Sequence, residues 1–261
     1  SRNPDLEPLK DMMTGVELPV WPVERKKGKP VVWITGDSTV KNKDSEKDGM
    51  WGWGALAATV FDTTKCTPYN AAMAGRSTRS YIREGRWEKV YNALQPGDFV
   101  LIQFGHNDIC PIADKKARGV IPGTGDTCHV YHLEDGGRFE LVYSFGWYLK
   151  KMIDDAREKG ATPILVSLTT RNEWPGGHVE RRNDSYGKWY REVVADTGCE
   201  FVDAHNIIAD YLDKHYKSKE SAAKYFNHDH THTSYMGAKN NAKMIAKGIR
   251  LAKSPLAAYL K

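Results

Sequence analysis

Long hydrophobic runs are absent from this sequence of 261 residues. Its longest apolar stretches, such as residues 164–168, are far shorter than the roughly 20 residues that a membrane-spanning helix requires. We therefore expect no membrane partner. Residues 1–28 contain four prolines and no continuous apolar segment, so no signal peptide is visible in this chain.

Cysteine is scarce as well. Four cysteines in a chain of this length do not form a disulfide scaffold, although Cys110 and Cys128 flank a loop-like segment and could pair in an oxidising compartment. There is no Cys-x-x-Cys pair and no other set of cysteines with zinc-site spacing. There is also no long basic run, and the net charge is only +5, so a nucleic-acid partner is disfavoured. The lack of a Gly-x-Ser-x-Gly motif argues against a standard α/β-hydrolase.

The chain does contain an alternation of strand and helix patterns. This alternation predicts a parallel sheet covered by helices on both faces. The predicted strands are residues 30–35, 66–71, 98–104, 162–168 and 200–203, and the predicted helices are 51–61, about 87–94, 143–159, 182–197, 205–216 and a last helix that begins after Thr233 or Ser234 and turns Ala238, Ala242, Ile245 and Ile249 inward.

One domain accounts for most of the chain. We predict an extended lead-in over residues 1–29 and a single domain over residues 30–261, because no linker-like segment interrupts the later part. Residues 109–140 form a long insertion, in which Asp135-Gly136-Gly137 is typical of a hairpin turn. Long loops in compact domains are commonly functional, so this insertion is a candidate roof for a cleft.

Polar motifs follow the predicted strands, at the edge where parallel sheets carry their sites. Ser38 follows the first strand, and a serine hydroxyl becomes nucleophilic when a base takes its proton. His232 is the candidate base, and Asp229 stands three residues before it, where its carboxylate could orient the imidazole. The backbone N–H groups of Ser38 and Gly75 and the side-chain amide of Asn107 are candidate donors to an oxyanion.

Four blocks of this sequence resemble the GDSL/SGNH hydrolases: Gly36-Asp37-Ser38, Gly75 within residues 70–77, Gly105-His106-Asn107-Asp108, and Asp229-x-x-His232. The finer motifs of residues 52–54, 74–81, 103–108 and 229–234 are similar to those of rhamnogalacturonan acetylesterases. The resemblance covers about residues 31–250. It implies a flavodoxin-like three-layer α/β/α sandwich with a five-stranded parallel sheet, a Ser38–His232–Asp229 triad, and an oxyanion hole of Ser38, Gly75 and Asn107.

The resemblance also implies a substrate class. We expect a carbohydrate esterase that removes acetyl groups from pectic rhamnogalacturonan, with an acetylated plant cell-wall polysaccharide or oligosaccharide as its partner. Acetylxylan or small acetyl sugars are alternatives with the same chemistry, and a non-catalytic carbohydrate-binding protein is an alternative of another class. The family implies a secreted, periplasmic or cell-surface location.

Several further residues are candidates for substrate binding. Guanidinium groups suit uronate carboxylates, and exposed indole rings stack on sugars, so the candidates are Arg76, Arg79, Arg171, Trp174 and His230. For each arginine a structural salt bridge is an equal alternative. His228, His230 and His232 alternate as metal ligands can, but a triad accounts for His232 and no further ligand cluster is evident. We therefore predict neither a metal nor a cofactor.

Overall fold

The computed structural model of the protein describes residues 17–261. Within that range the strands are β1 (Val31–Gly36), β2 (Thr67–Asn70), β3 (Phe99–Gln103), β4 (Cys128–His132), β5 (Phe139–Tyr143), β6 (Thr162–Val166) and β7 (Glu200–Val202). The α-helices are α1 (Ser38–Lys41), α2 (Thr78–Arg83), α3 (Arg86–Ala93), α4 (Phe145–Glu158), α5 (Tyr186–Thr197), α6 (Ala204–His215) and α7 (Tyr235–Leu251), and 3-10 helices occupy Trp53–Thr59, Pro175–Gly177, Ala223–Tyr225 and Pro255–Tyr259.

The central sheet has five parallel strands in the order β2-β1-β3-β6-β7. The chain moves outward from β1 to β2, then crosses back to β3 and continues in the other direction, so the order reverses between β1 and β3. In doubly wound sheets, ligands bind at the carboxyl ends of the strands that flank this reversal. The predicted sheet and three-layer sandwich are confirmed.

Two hydrophobic layers cover the faces of the sheet, because successive side chains of a strand point in opposite directions. Val32 and Ile34 of β1 pack with α6, α7 and the 3-10 helix Trp53–Thr59. Val31 and Trp33 pack on the other face with α2, α3, α4 and α5. All six residues of β1 are buried, as expected for a central strand between two helical layers.

The last helix follows its predicted pattern. Ser234 is its N-cap, and the Ser234 side chain accepts a hydrogen bond from the backbone N–H of Gly237. The four residues predicted to face inward are at most 1% exposed: Ala238, Ala242, Ile245 and Ile249. Among the described residues, no helix combines the length and apolar character that crossing a membrane requires.

Two local predictions need correction, and one helix was missed. The predicted helix over residues 51–61 is a 3-10 helix restricted to Trp53–Thr59, and Trp51 lies in a β-bridge with Thr233. The helix predicted over residues 182–197 begins only at Tyr186. The short helix α2 was not predicted.

The insertion at 109–140 contains an antiparallel hairpin of β4 and β5, with Cys128 opposite Tyr143 and His132 opposite Phe139. Of the predicted lead-in, residues 1–16 lie outside the described residues. Residues 17–29 pack against α3 and β3: the Trp21 indole donates to the Arg86 carbonyl, and Arg25 pairs with Asp98.

Candidate active site

The site begins at the carboxyl end of β1. Asp37 is the N-cap of α1, and its side chain accepts hydrogen bonds from the backbone N–H and the hydroxyl of Thr39 at 2.9 and 2.7 Å. Ser38 is the first residue of that helix and is 8% exposed. Because the first N–H groups of a helix have no partner within it, the backbone N–H of Ser38 remains free to bind another acceptor.

Ser38, His232 and Asp229 form a continuous chain of hydrogen bonds. The Ser38 Oγ lies 2.9 Å from Nε2 of His232, and the His232 Nδ1 lies 2.6 Å from Oδ2 of Asp229. Since a carboxylate only accepts, Nδ1 carries the proton, and its N–H donates a hydrogen bond to Asp229. The Nε2 atom of a neutral imidazole is then the acceptor for the Ser38 hydroxyl, which is the arrangement that a general base requires.

Asp229 also builds the loop that carries the histidine. Its Oδ1 accepts hydrogen bonds from the backbone N–H groups of Thr231 and His232 at 2.8 and 2.7 Å. Partial burial by itself would raise the pKa of Asp229, but the hydrogen bonds from His232 and Thr231 outweigh it and hold that pKa below its ordinary value. The carboxylate therefore stays ionised in mildly acidic solution.

The segment after α1 connects the serine to the histidine loop. Trp51 and Thr233 exchange hydrogen bonds: the Trp51 N–H donates to the Thr233 carbonyl, and the Thr233 hydroxyl donates to the Trp51 carbonyl. The next residue, Gly52, lies directly on α1, where a Cβ atom would come within 2.5 Å of the Val40 carbonyl. Glycine is therefore required for this close approach.

The other two predicted oxyanion donors follow β2 and β3, the neighbours of β1 in the sheet. Gly75 has a φ of 78°, a backbone conformation that favours glycine. The Asn107 amide donates one hydrogen to the Arg76 carbonyl at 3.1 Å and keeps a second hydrogen for another acceptor. Its Oδ1 accepts from Arg118 Nη1 at 3.0 Å, and the same Nη1 lies 3.4 Å from the Gly75 carbonyl.

Arg79, a predicted substrate-binding residue, is buried against other parts of the protein. It is 1% exposed, and its guanidinium pairs with Glu140 and donates to the carbonyls of Ile112 and Gly119. It is a structural anchor for the 109–140 insertion, which is the alternative that the sequence left open.

The other two predicted arginines are partly accessible. Arg76 is half-buried, and its guanidinium pairs with Glu84 and donates to the Ala74 carbonyl. It lines a pocket of about 300 Å³ with Gly75, Ser80, Glu84, Lys116 and Arg118. Burial lowers the pKa of Arg171, and the charge of Arg182 lowers it further. The positive charge of Arg171 in turn opposes the rise in the pKa of Asp37 and adds to the lowering of the pKa of His106.

Of the two remaining predicted substrate-binding residues, Trp174 follows β6 in the chain and His230 lies in the histidine loop. Trp174 lines an open cleft of about 720 Å³, and its indole N–H donates to Asn172 Oδ1. Asn172 donates its backbone N–H to the carbonyl of His230 at 2.7 Å, which joins this cleft to the histidine loop. His230 is exposed, and its Nδ1 contacts the hydroxyl of Thr231.

Three buried titratable groups lie behind the site. Burial raises the pKa of Asp37 to about 6 and that of Asp108 to about 7, in each case against hydrogen bonds that lower it. Burial, followed by the charge of Arg182, holds the pKa of His106 well below its ordinary value. The His106 imidazole is therefore neutral, and its Nε2 lies 2.9 Å from the hydroxyl of Thr169.

Cysteines and candidate metal ligands contribute nothing further to this geometry. Cys110 and Cys128 are unbonded in the structure. Within residues 17–261, no group of three His, Cys, Asp or Glu side chains is arranged to hold a metal ion.

Two residues that contact predicted site residues have no recognisable sequence signal. Arg118 and Glu140 both lie in the insertion, where no periodic pattern assigns a direction to a side chain. Their partners, Asn107 and Arg79, are 11 and 61 residues away in the chain.

Comparison with known proteins gives a family and several related esterases. The sequence profile of the GDSL-like Lipase/Acylhydrolase family matches residues 34–239. A rhamnogalacturonan acetylesterase of Emericella nidulans is 30% identical over 219 residues, which cover 84% of each chain. A rhamnogalacturonan acetylesterase of Bacillus subtilis is 29% identical over 249 residues, covering 89% of this chain and 95% of that one. An acetylxylan esterase from Geobacillus stearothermophilus shares the fold, with a TM-score of 0.56 and 18% identity over 86% of this chain and 94% of that one.

Proposed function

The chain belongs to the GDSL-like lipase/acylhydrolase family, and from this premise we propose that it removes O-acetyl groups from rhamnogalacturonan through an acetyl-enzyme on Ser38. The observation that carries the proposal is the 2.9 Å contact between the Ser38 Oγ and the Nε2 of a histidine whose Nδ1 is held by Asp229. A serine hydroxyl in this arrangement has a base for its proton, and that base has a fixed tautomer.

The reaction takes place in two acyl transfers. The Ser38 Oγ attacks the acetyl carbonyl while His232 Nε2 takes the hydroxyl proton, and the C–O bond to the sugar breaks as the same nitrogen returns that proton to the leaving sugar oxygen. A water molecule then gives a proton to His232 Nε2 and attacks the acetyl carbon. As the bond from that carbon to the Ser38 Oγ breaks, His232 passes the proton to the Ser38 oxygen, which restores the serine and releases acetic acid that ionises to acetate. In both steps the Ser38 N–H, the Gly75 N–H and the Asn107 amide donate to the developing oxyanion.

An acidic polymer fits the charges beside the oxyanion donors. The pocket next to Gly75 is lined by Arg76, Lys116 and Arg118, against one carboxylate, Glu84, that is already paired with Arg76 and Arg86. Guanidinium and ammonium groups with spare donors suit the carboxylates of a uronate-containing chain. The two relatives named as rhamnogalacturonan acetylesterases support the same substrate.

The cleft beyond β6 supplies the other kind of sugar contact. Trp174 lines this cleft, and the neighbouring Asn172 connects it to the histidine loop through the His230 carbonyl. An apolar ring face of this kind covers the C–H side of a sugar, while the cationic pocket binds its carboxylates. Since plant cell-wall polymers lie outside cells, the proposal includes an extracytoplasmic place of action.

Acetate release tests the proposal directly. Acetylated rhamnogalacturonan and acetylated xylan are supplied in parallel, and Ser38→Ala is the blank. We expect Ser38→Ala to lower acetate release by at least about 10³-fold, because the nucleophile is lost, with an unchanged thermal unfolding temperature as proof of folding. Preferential release from the pectic polymer supports the full proposal.

Other outcomes separate the rival functions. Equal or faster release from xylan retires the rhamnogalacturonan substrate and keeps the chemistry. Undiminished release by Ser38→Ala rejects the serine mechanism. Affinity for the polymer without any acetate release identifies a carbohydrate-binding protein.

A further inference from the structure

Arg118 contacts two of the three proposed oxyanion donors without being one itself. Its Nη1 donates to the Asn107 Oδ1 at 3.0 Å and lies 3.4 Å from the Gly75 carbonyl. These acceptors belong to the two loops that follow β3 and β2, and Arg118 lies between them. One guanidinium therefore joins the donor residues of both loops to the 109–140 insertion.

The contact with Asn107 determines which way that amide faces. With the guanidinium on Oδ1, the Nδ2 group points to the Arg76 carbonyl, to which it donates one hydrogen at 3.1 Å. A flipped amide would set its N–H groups against the guanidinium and its oxygen against a carbonyl, so both contacts would become repulsive. The second hydrogen on Nδ2 is thereby kept available for an acceptor in the site.

The positive charge also strengthens the donor. A cation hydrogen-bonded to the amide oxygen draws electron density toward that oxygen, and hydrogen bonds in such a chain polarise one another. The Nδ2–H is then a better donor to an anionic oxygen, and the charge itself lies one amide group away from it. This effect is larger for the transition state than for the neutral ester, because negative charge develops only in the transition state.

The backbone on either side of Arg118 is held firmly. The Ala117 carbonyl accepts a hydrogen bond from Arg83, and the Gly119 carbonyl accepts one from Arg79 at 2.8 Å. Gly119 also donates its N–H to the Pro111 carbonyl, and a Cβ atom on it would come within 1.9 Å of the Cys110 carbonyl. The insertion thus holds this arginine in a fixed place, as a positioning side chain must be held.

We propose that Arg118 is a positioning residue that orients and polarises the Asn107 amide, and so completes the oxyanion hole from the insertion. The inference rests on the proposed esterase function. It assigns the insertion a part in the chemical step.

A double-mutant cycle tests the inference on p-nitrophenyl acetate, which carries no sugar and no carboxylate. We expect Arg118→Met to lower kcat about tenfold or more with little change in KM, and Asn107→Ala to lower kcat by about 10²-fold or more. Because Arg118 acts through Asn107, the double variant should stay within about twofold of Asn107→Ala alone. Arg118→Lys keeps the charge and loses the planar fork, so its kcat should lie between that of the wild-type protein and that of Arg118→Met.

Arg138→Met is the matched control. Arg138 belongs to the same insertion, and among the described residues its guanidinium pairs only with Asp135, in the exposed turn of the hairpin. Its replacement should leave kcat within about twofold of the wild-type value. An equal loss of kcat in Arg138→Met would mean that the loss of any positive charge from the insertion lowers activity, and it would overturn the inference.

Other outcomes are equally decisive. Multiplying losses of kcat in the double variant would show that Arg118 and Asn107 act independently, and a change confined to KM would make Arg118 a binding residue. Both results overturn the inference while Ser38-dependent turnover persists. Absence of Ser38-dependent turnover in the wild-type protein would instead reject the proposed function.

Discussion

At the scale of single residues, Asp229 has two structural tasks. One carboxylate oxygen caps the backbone of Thr231 and His232, and the other oxygen orients the His232 ring. Both tasks are local, since all partners lie within three residues. The imidazole therefore keeps its orientation as long as this short loop is intact, and the only distant requirement is that the loop be brought to Ser38. The Trp51–Thr233 hydrogen bonds meet that requirement.

Asp108 leads to a prediction about pH. Burial raises its pKa to about 7, although the hydrogen bonds from Thr78 lower it, and the charge of Asp37 raises it further. Between an ordinary aspartate pKa of 3.8 and about 7, the folded protein holds a proton that the unfolded chain has released. The contribution of Asp108 to the free energy of unfolding is therefore fully present below the ordinary pKa and is lost as pH rises through about 7.

Asp108→Asn removes this titration and keeps an oxygen acceptor for Thr78. We expect the variant and the wild-type protein to unfold at similar temperatures near pH 4, and the variant to gain relative stability as pH rises through about 7. Thermal unfolding across this range measures the difference. Ser38→Ala, which changes no titratable group, should keep the wild-type profile. A difference that is independent of pH would contradict the prediction.

At the scale of elements, α2 fastens the insertion to the domain. Arg79 and Arg83 lie one turn apart on this helix, and both contact Glu140 on β5. The Arg79 side chain is 1% exposed and that of Glu140 is 19% exposed, so water screens this pair little. Loss of one partner would leave a buried charge uncompensated.

Glu140→Gln should therefore lower the free energy of unfolding by about 2–4 kcal/mol, near the cost of breaking a buried ion pair. Chemical denaturation measures the loss. Asp135→Asn is the matched control on the same hairpin, because its pair with Arg138 is more than half exposed on both sides. That control should cost less than about 0.5 kcal/mol. Similar costs for the two variants would show that α2 does not fasten the insertion through this pair.

Some of these elements could be predicted from the sequence and others could not. Buried strands and α7 are visible as apolar runs and helical periodicity, and the family resemblance carried by the four strand-end blocks is confirmed. The helix α2 has only six residues, and its capping box uses Ser77 and Ser80 in place of the usual acidic partner, so no periodic signal marks it. The segment predicted as a helix over residues 51–61 instead forms a shorter 3-10 helix, which begins just after Gly52, the residue that approaches α1 closely.

The roles of the arginines could not be predicted for a related reason. Arg79 lies in a motif that resembles one of the acetylesterases, and such a motif does not determine whether a guanidinium meets a substrate or an internal carboxylate. That choice depends on Glu140, which reaches it only through the folded insertion. Long-range partners of this kind are a property of tertiary structure.

At the scale of the whole molecule, Ser38 lies between the two surfaces that we propose bind the polymer. The cationic pocket beside Gly75 follows β2, and the Trp174 cleft follows β6, on opposite sides of Ser38 along the carboxyl edge of the sheet. A chain of sugars that spans both would lie over Ser38 with its acetyl group. Short acetyl esters would reach Ser38 without either surface.

This arrangement predicts a dependence on salt that differs between substrates. The net charge of +5 and the pocket of Arg76, Lys116 and Arg118 attract an anionic polymer, and such attraction weakens as ions screen it. Raising the ionic strength from about 0.01 M to about 0.15 M shortens the screening length from about 30 Å to about 8 Å. We expect kcat/KM on acetylated rhamnogalacturonan to fall several-fold, with the change mainly in KM.

Acetate release at each salt concentration measures this effect, and p-nitrophenyl acetate is the uncharged reference, whose kcat/KM should remain constant. Arg76→Gln removes one charge from the pocket, so its kcat/KM on the polymer should fall less steeply with salt than that of the wild-type protein. Equal salt dependence on both substrates would point to an effect on the protein itself. A flat response on the polymer would mean that its carboxylates do not meet these cations, and the case for an acidic substrate would then depend on the relatives alone.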